Sequence, residues 1–303
     1  MTLFQSKVDS TPLNADKVKT VLGCLAVFLS AFFFYLATVV VKWASNTGLS
    51  IDPAFFVFSR FLAGFIFICL YMGIVRIPPR PANYHYLIGR TVSNCLAVYF
   101  FFKAVNLTSV AEGNILNMTY PLFITLFSWI LFKKERDPIS VFIVLVAFAG
   151  VWLILSPGDM DLNLESIWGL FSGISAAVSI MYLNLSRRVH DTETTLFFLF
   201  GLGGVIIFLV FQDRIFLPDM QILKFLLMCS FFSVAGQYFI TLGFKFVTAV
   251  EGGVISSTRI LLAAILGPYL TSDPALSAAG WTGAFLIFAG NVYLTLRKAR
   301  PSE

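Results

Sequence analysis

Charge is scarce in this chain. Asp, Glu, Lys and Arg make up 12% of its 303 residues, against about 25% in an ordinary soluble domain. So few charges cannot build a water-facing surface, and a mean hydropathy of +0.86 excludes a soluble globular protein. Histidine is nearly missing: His85 and His190 both fall in polar connectors, so neither a histidine metal site nor a histidine proton relay is expected. Cys24, Cys69, Cys95 and Cys229 lie singly inside apolar runs without metal-ligand spacing, and read as small buried thiols. No apolar run alternates with period two, which excludes the strands of a membrane barrel. No connector is long enough to be a soluble domain.

What remains is apolar. Hydrophobic residues form 58% of the chain and gather in runs long enough to cross about 30 Å of hydrocarbon as helices. Polar breaks divide them into ten predicted spans, near 19–42, 54–75, 86–105, 110–132, 139–156, 166–186, 195–212, 222–245, 250–272 and 278–296. The first 17 residues are polar, and the run behind them is too long for a cleavable signal core, so residues 1–17 read as a cytosolic tail. Residues 298–303 read as a second tail.

Lys and Arg give the orientation. With a cytosolic N-terminus, inner segments carry fourteen of them, outer segments carry Lys42, Lys103, Arg214 and Lys224, and Arg60, Arg90 and Arg259 lie within spans. Both termini are then expected in the cytosol, and the net charge of +5 describes topology, with no nucleic-acid partner implied.

The chain also repeats itself. "GCLAVFLSAFFFYL" from Gly23 resembles "GLFSGISAAVSIMYL" from Gly169; "FFKAV" answers "GFKFV"; Glu112-Gly113 answers Glu251-Gly252; "AFAG" answers "IFAG". Five spans per half is an odd number, so the copies, 18–157 and 158–297, enter the membrane with opposite orientation. An inverted repeat of this kind places a substrate site near the bilayer midplane, where the halves meet. The expected fold is an all-α integral membrane protein with ten helices in a 5+5 inverted repeat around a central cavity.

The ten-span repeat, the block "FFKAVNLTSVAEGNILNMTYPLFITLFSWILFKKERD", Arg60 of the second span and the "FAG" steps together resemble the EamA branch of the drug/metabolite transporter superfamily. The resemblance implies a pathway lined by spans 1, 3, 4, 6, 8 and 9, alternating access by rocking of the halves, no cofactor, and residence in a bacterial inner (plasma) membrane as a monomer or homodimer. The second copy departs from the first: Ile260 stands where Pro121 would repeat, beside Arg259, and Pro268 is displaced.

Helix geometry places Glu112, Thr119 and Tyr120 on one side of span 4 and Glu251, Thr258 and Arg259 on the matching side of span 9. The two acids are candidates for gating or coupling, or else plain helix-start acids favoured by the dipole. Arg259 falls near the bilayer centre, where an unpaired charge costs at least about 2.5–3.5 kcal/mol and calls for water, a partner or a substrate anion. Further candidate binding residues are Asn94 and Tyr99, Asn117 and Tyr120, Tyr182 and Asn184, and Gln237 and Tyr238, each also able to serve as interhelical glue. Arg60 reads as a packing or helix-linking residue, and the 34 Phe as lipid-facing or packing groups.

The function expected is secondary transport of a small polar metabolite, charged or zwitterionic, such as an amino acid or its derivative. S-adenosylmethionine is the most specific candidate, because the resemblance extends to its carriers, which also place an Arg in span 9. Exchange (antiport) and proton coupling both fit, as does export of drug-like or nucleotide-linked metabolites. A membrane enzyme would need a nucleophile with its base or a ligand cluster within the spans, and a scaffold would need no buried Arg.

Overall fold

A computed structural model describes residues 12–49, 51–131, 138–155, 164–247 and 249–298, and the regular structure among them is helical throughout. The helices are α1 (Pro12–Asn46), α2 (Pro53–Val75), α3 (Tyr84–Leu107), α4 (Val110–Asn117), α5 (Tyr120–Leu131), α6 (Pro138–Leu155), α7 (Ile167–Ser186), α8 (Thr192–Phe211), α9 (Met220–Gly243), α10 (Ala249–Thr271) and α11 (Ala278–Lys298). Among the described residues, seven helical stretches are long and apolar enough to cross a membrane, and Ala278–Leu294 is a shorter apolar helix. α3 has the length but carries Arg90, Asn94 and Lys103. The chain is a multi-pass membrane protein.

Acids that break the apolar runs start the helices. Asp52, Asp191 and Asp219 each accept a backbone N–H of the first turn, at 2.8, 2.7 and 2.8 Å, and satisfy donors a helix start would leave open. Large apolar side chains face outward, Phe142 on α6, Phe231 on α9 and Phe285 on α11 among them. Such a surface is stable only against hydrocarbon.

Packing joins the two halves. Pairings across the halves include α1 with α9, α3 with α7, α2 with α8, α6 with α11, and α4 with α10, each taking one helix from either copy. Exchanging the halves maps this set onto itself, as an inverted repeat requires. At the α6–α11 crossing the backbones nearly touch: a Cβ on Gly150 would lie 2.7 Å from the Gly283 carbonyl oxygen, and one on Gly283 2.5 Å from that of Gly150. Only two glycines admit that approach.

The copies differ at the fourth span, which forms two helices where one was expected. Pro121 has no N–H to continue the ladder, so α4 ends at Asn117 and α5 begins at Tyr120. The carbonyl of Met118 at the break accepts from Asn291 Nδ2 on α11 at 2.8 Å. The matching α10 carries Ile260 at the equivalent place and runs unbroken from Ala249 to Thr271, with Pro268 inside its last turns.

Candidate substrate site

Where the halves meet lies a partly open cavity. Its polar lining comes from α1 (Ser30), α2 (Arg60), α3 (Arg90, Asn94), the α4–α5 break (Asn117, Tyr120), α7 (Ser179), α9 (Gln237) and α10 (Ser256, Arg259). Arg60, Arg90 and Arg259 are 3%, 3% and 6% exposed, yet no carboxylate among the described residues lines the cavity.

Each arginine is tied across the halves to a neutral group. Arg259 on α10 donates to Asn117 Oδ1 on α4. Asn117 Nδ2 in turn donates to Ser172 Oγ at 2.5 Å, and Ser172 Oγ to the Ala97 carbonyl at 2.9 Å, so a relay through α4, α7 and α3 fixes the guanidinium. Arg90 donates to Ser179 Oγ on α7 at 2.5 Å, and Arg60 to Gln237 Oε1 on α9 at 3.1 Å. Neutral acceptors orient the guanidinium groups and leave their charges uncancelled. Rings stand over two of them: Phe34 lies 5.5 Å from Arg60 and 6.0 Å from Arg259, and Phe101 5.1 Å from Arg259. Cation–π contacts of about 0.5–2 kcal/mol each, together with these hydrogen bonds, offset the cost of holding the charges away from water, but none of them supplies a negative charge. The cavity wall therefore carries three positive charges and no carboxylate among the described residues.

The sequence-based candidates divide between cavity and periphery. Asn94, Asn117, Tyr120, Gln237 and Arg259 meet in the cavity. Tyr99 turns to α8 and stacks on Phe211 at 4.7 Å, Tyr182 packs edge-on to His85 at 5.5 Å, and Tyr238 meets Phe67 at 6.1 Å, none of them on the cavity wall. Asn184 is exposed. Arg60, expected as a packing residue, lines the cavity, as do Arg90, Phe34 and Phe101, which were not among the candidates. The face of α3 carrying Arg90, Asn94, Ala97 and Phe101 follows helical spacing, and this periodicity was the available signal.

Glu112 lies outside the cavity, near one end of the bundle. It occupies the third position of α4, its N–H donating to the Ser109 cap at 3.1 Å, and its carboxylate accepts from Ser166 Oγ at 3.0 Å. Ser-x-x-Glu has the spacing of a capping box, but only its Ser half is formed here, since the carboxylate turns to Ser166; Thr248-x-x-Glu251 repeats the spacing in sequence. The side chain of Glu251 lies outside the described residues.

The two ends of the bundle are closed differently. At the end near Glu112, Lys42 of α1 pairs with Asp273 at 3.4 Å and donates to the Thr108 carbonyl at 2.5 Å, while Asp273 Oδ2 accepts the Val110 N–H at 2.8 Å. Trp43 and Asn46 add bonds to the carbonyls of Leu270 and Thr271 at 2.6 and 2.9 Å. At the opposite end, His190 Nε2 accepts the backbone N–H groups of Ala82 and Asn83 at 3.0 and 3.1 Å, which binds the α2–α3 connector to the α7–α8 connector. The cavity reaches toward this second end. Leu183 and Ile240 on its wall are three residues, about 4.5 Å, from the ends of α7 and α9.

Comparison with known proteins agrees with this architecture. The EamA-like transporter family profile matches twice, over residues 21–156 and 163–296. The chain is 29% identical over 242 residues to the pseudopaline exporter CntI of Pseudomonas aeruginosa, covering 79% of this chain and 83% of that protein. With the human solute carrier family 35 member G1 it shares 25% identity over 295 residues, 91% of this chain and 80% of the relative. A crystal structure with 19% identity superposes with a TM-score of 0.58 over 94% of this chain and 99% of the other, a likeness of fold alone. Two matches that together span nearly the whole sequence settle the grouping: the chain belongs to the EamA-like transporter family, within the drug/metabolite transporters.

Proposed function

We propose that this protein is a secondary transporter which moves a small polar, carboxylate-bearing metabolite through the central cavity by alternating access. The observation that carries the reading is Arg259: 6% exposed, bonded to a neutral amide and flanked by rings, with no carboxylate of the described residues on the cavity wall. A substrate carboxylate supplies the missing charge in a dry site where a bidentate guanidinium bond is strong. S-adenosylmethionine is a weaker fit than a net anion, since its sulfonium would face three arginines. An amino-acid derivative or organic acid with more negative charge suits the lining better.

Both termini lie in the cytosol in this reading, so the Lys42–Asp273 end faces outward and the cavity extends toward the cytosol. The outer bonds then act as a gate, with Glu112 beside it, that must part before the substrate leaves. Transport runs outward, in line with the exporter among the relatives. Counterflow of labelled organic acids into preloaded proteoliposomes tests this. At least tenfold loss in Arg259→Ala supports the cavity assignment, and uptake equal to the wild type contradicts it.

A further inference from the structure

We propose that the cavity selects by number of charges, taking a small solute with two or three anionic groups, and that Arg60 and Arg90 are its specificity-determining residues beside Arg259. This rests on the transporter reading above and assigns the substrate class. Three observations converge. The Nε atoms of Arg60, Arg90 and Arg259 are all buried without a hydrogen-bond partner, although each guanidinium is anchored through one terminal nitrogen. Phe34 covers Arg60 and Arg259, and Phe101 covers Arg259, so ring faces are taken and the planar N–H edges are left for an oxyanion. The charge of Arg60 also acts on both Arg90 and Arg259. A solute with one negative group would relieve one arginine and leave the other two without a counter-charge. Two or three anionic groups relieve all of them.

Ser30 adds a hydroxyl without a partner on the same wall, and the unpartnered Asn94 Oδ1 is an acceptor suited to a hydroxyl of the solute. Carboxylates and phosphate esters share the required chemistry, planar or tetrahedral oxyanions that accept paired N–H bonds.

The test uses the full chain in proteoliposomes at neutral pH, with labelled alanine, lactate, succinate, citrate, glycerol 3-phosphate and S-adenosylmethionine. Succinate or citrate, or glycerol 3-phosphate if the anion is a phosphate, should enter at least tenfold faster than lactate, alanine or S-adenosylmethionine. Arg60→Gln and Arg90→Gln should each lower the polyanion rate at least tenfold and the lactate rate less than threefold. If either variant fails to reconstitute, Arg60→Lys and Arg90→Lys keep the charge and should retain the preference at a reduced rate. Alanine or S-adenosylmethionine moving as fast as any polyanion overturns the inference and leaves the transporter reading standing. Equal losses for every solute in the glutamine variants overturn the specificity role. No uptake in any arm overturns both.

Discussion

Lys42 and Arg259 are both cations on membrane helices, the first partly and the second fully buried, and they are satisfied in opposite ways. Lys42, at one end of the bundle, meets the carboxylate of Asp273 and a backbone carbonyl. Arg259, at the centre, meets an amide oxygen and aromatic rings. A charge with a built-in counterion belongs to the structure, whereas one held in place by neutral groups is poised for a counterion that comes and goes. In the function proposed above, that choice of partner distinguishes the closed end from the binding centre.

Breaking the end should have the largest effect. Asp273→Ala leaves a partly buried ammonium and the Val110 N–H without their carboxylate, at a cost of about 3 kcal/mol, the low end for a buried pair because Lys42 keeps some exposure. Thermal unfolding in detergent should show the loss, and Lys42→Ala with Asp273→Ala should cost less than the two added together. Turning the centre into a copy of the end comes next. Arg259→Glu puts an acid on the wall that also carries Arg60 and Arg90 and should lower transport at least a hundredfold, about 2.7 kcal/mol, while the protein stays folded. Asn117→Leu removes the acceptor that aims Arg259 and should cost about 1–3 kcal/mol, read mainly as a raised substrate KM. Smallest is the exposed pair. The Arg214 and Asp52 side chains meet at 2.5 Å but are 64% and 20% exposed, so Arg214→Ala should shift stability by less than about 1 kcal/mol.

The helices were largely readable because hydropathy and length are local properties. Predicted spans and observed helices agree within a few residues, except where α1 reaches back to Pro12 and where Pro121 splits span 4. The repeat in sequence returned as the exchange-symmetric pairing of helices. The site was readable only in part, because a side chain's direction depends on neighbours that a single helix does not reveal. Gln237 faces the cavity and Tyr238, 100° further round, does not; Leu183 faces it and Tyr182 does not. Arg60 and Arg90 were harder, since a lone arginine in an apolar run reads alike whether it snorkels, packs or lines water. Glu112 was left between two readings in the sequence, a gating group or a helix-start acid, and its place in the first turn of α4 with a bond from Ser166 Oγ is compatible with both.

The central claim is that the buried arginine charge is unpaid within the protein and is kept for the substrate. Its most direct measurement is the melting temperature of purified Arg259→Gln without added solute, compared with the wild type. Glutamine keeps a donor for Asn117 and removes an uncompensated charge, so the account predicts a melting temperature equal to or above the wild type together with lost transport. A melting temperature several degrees lower would make Arg259 a structural residue and contradict the account.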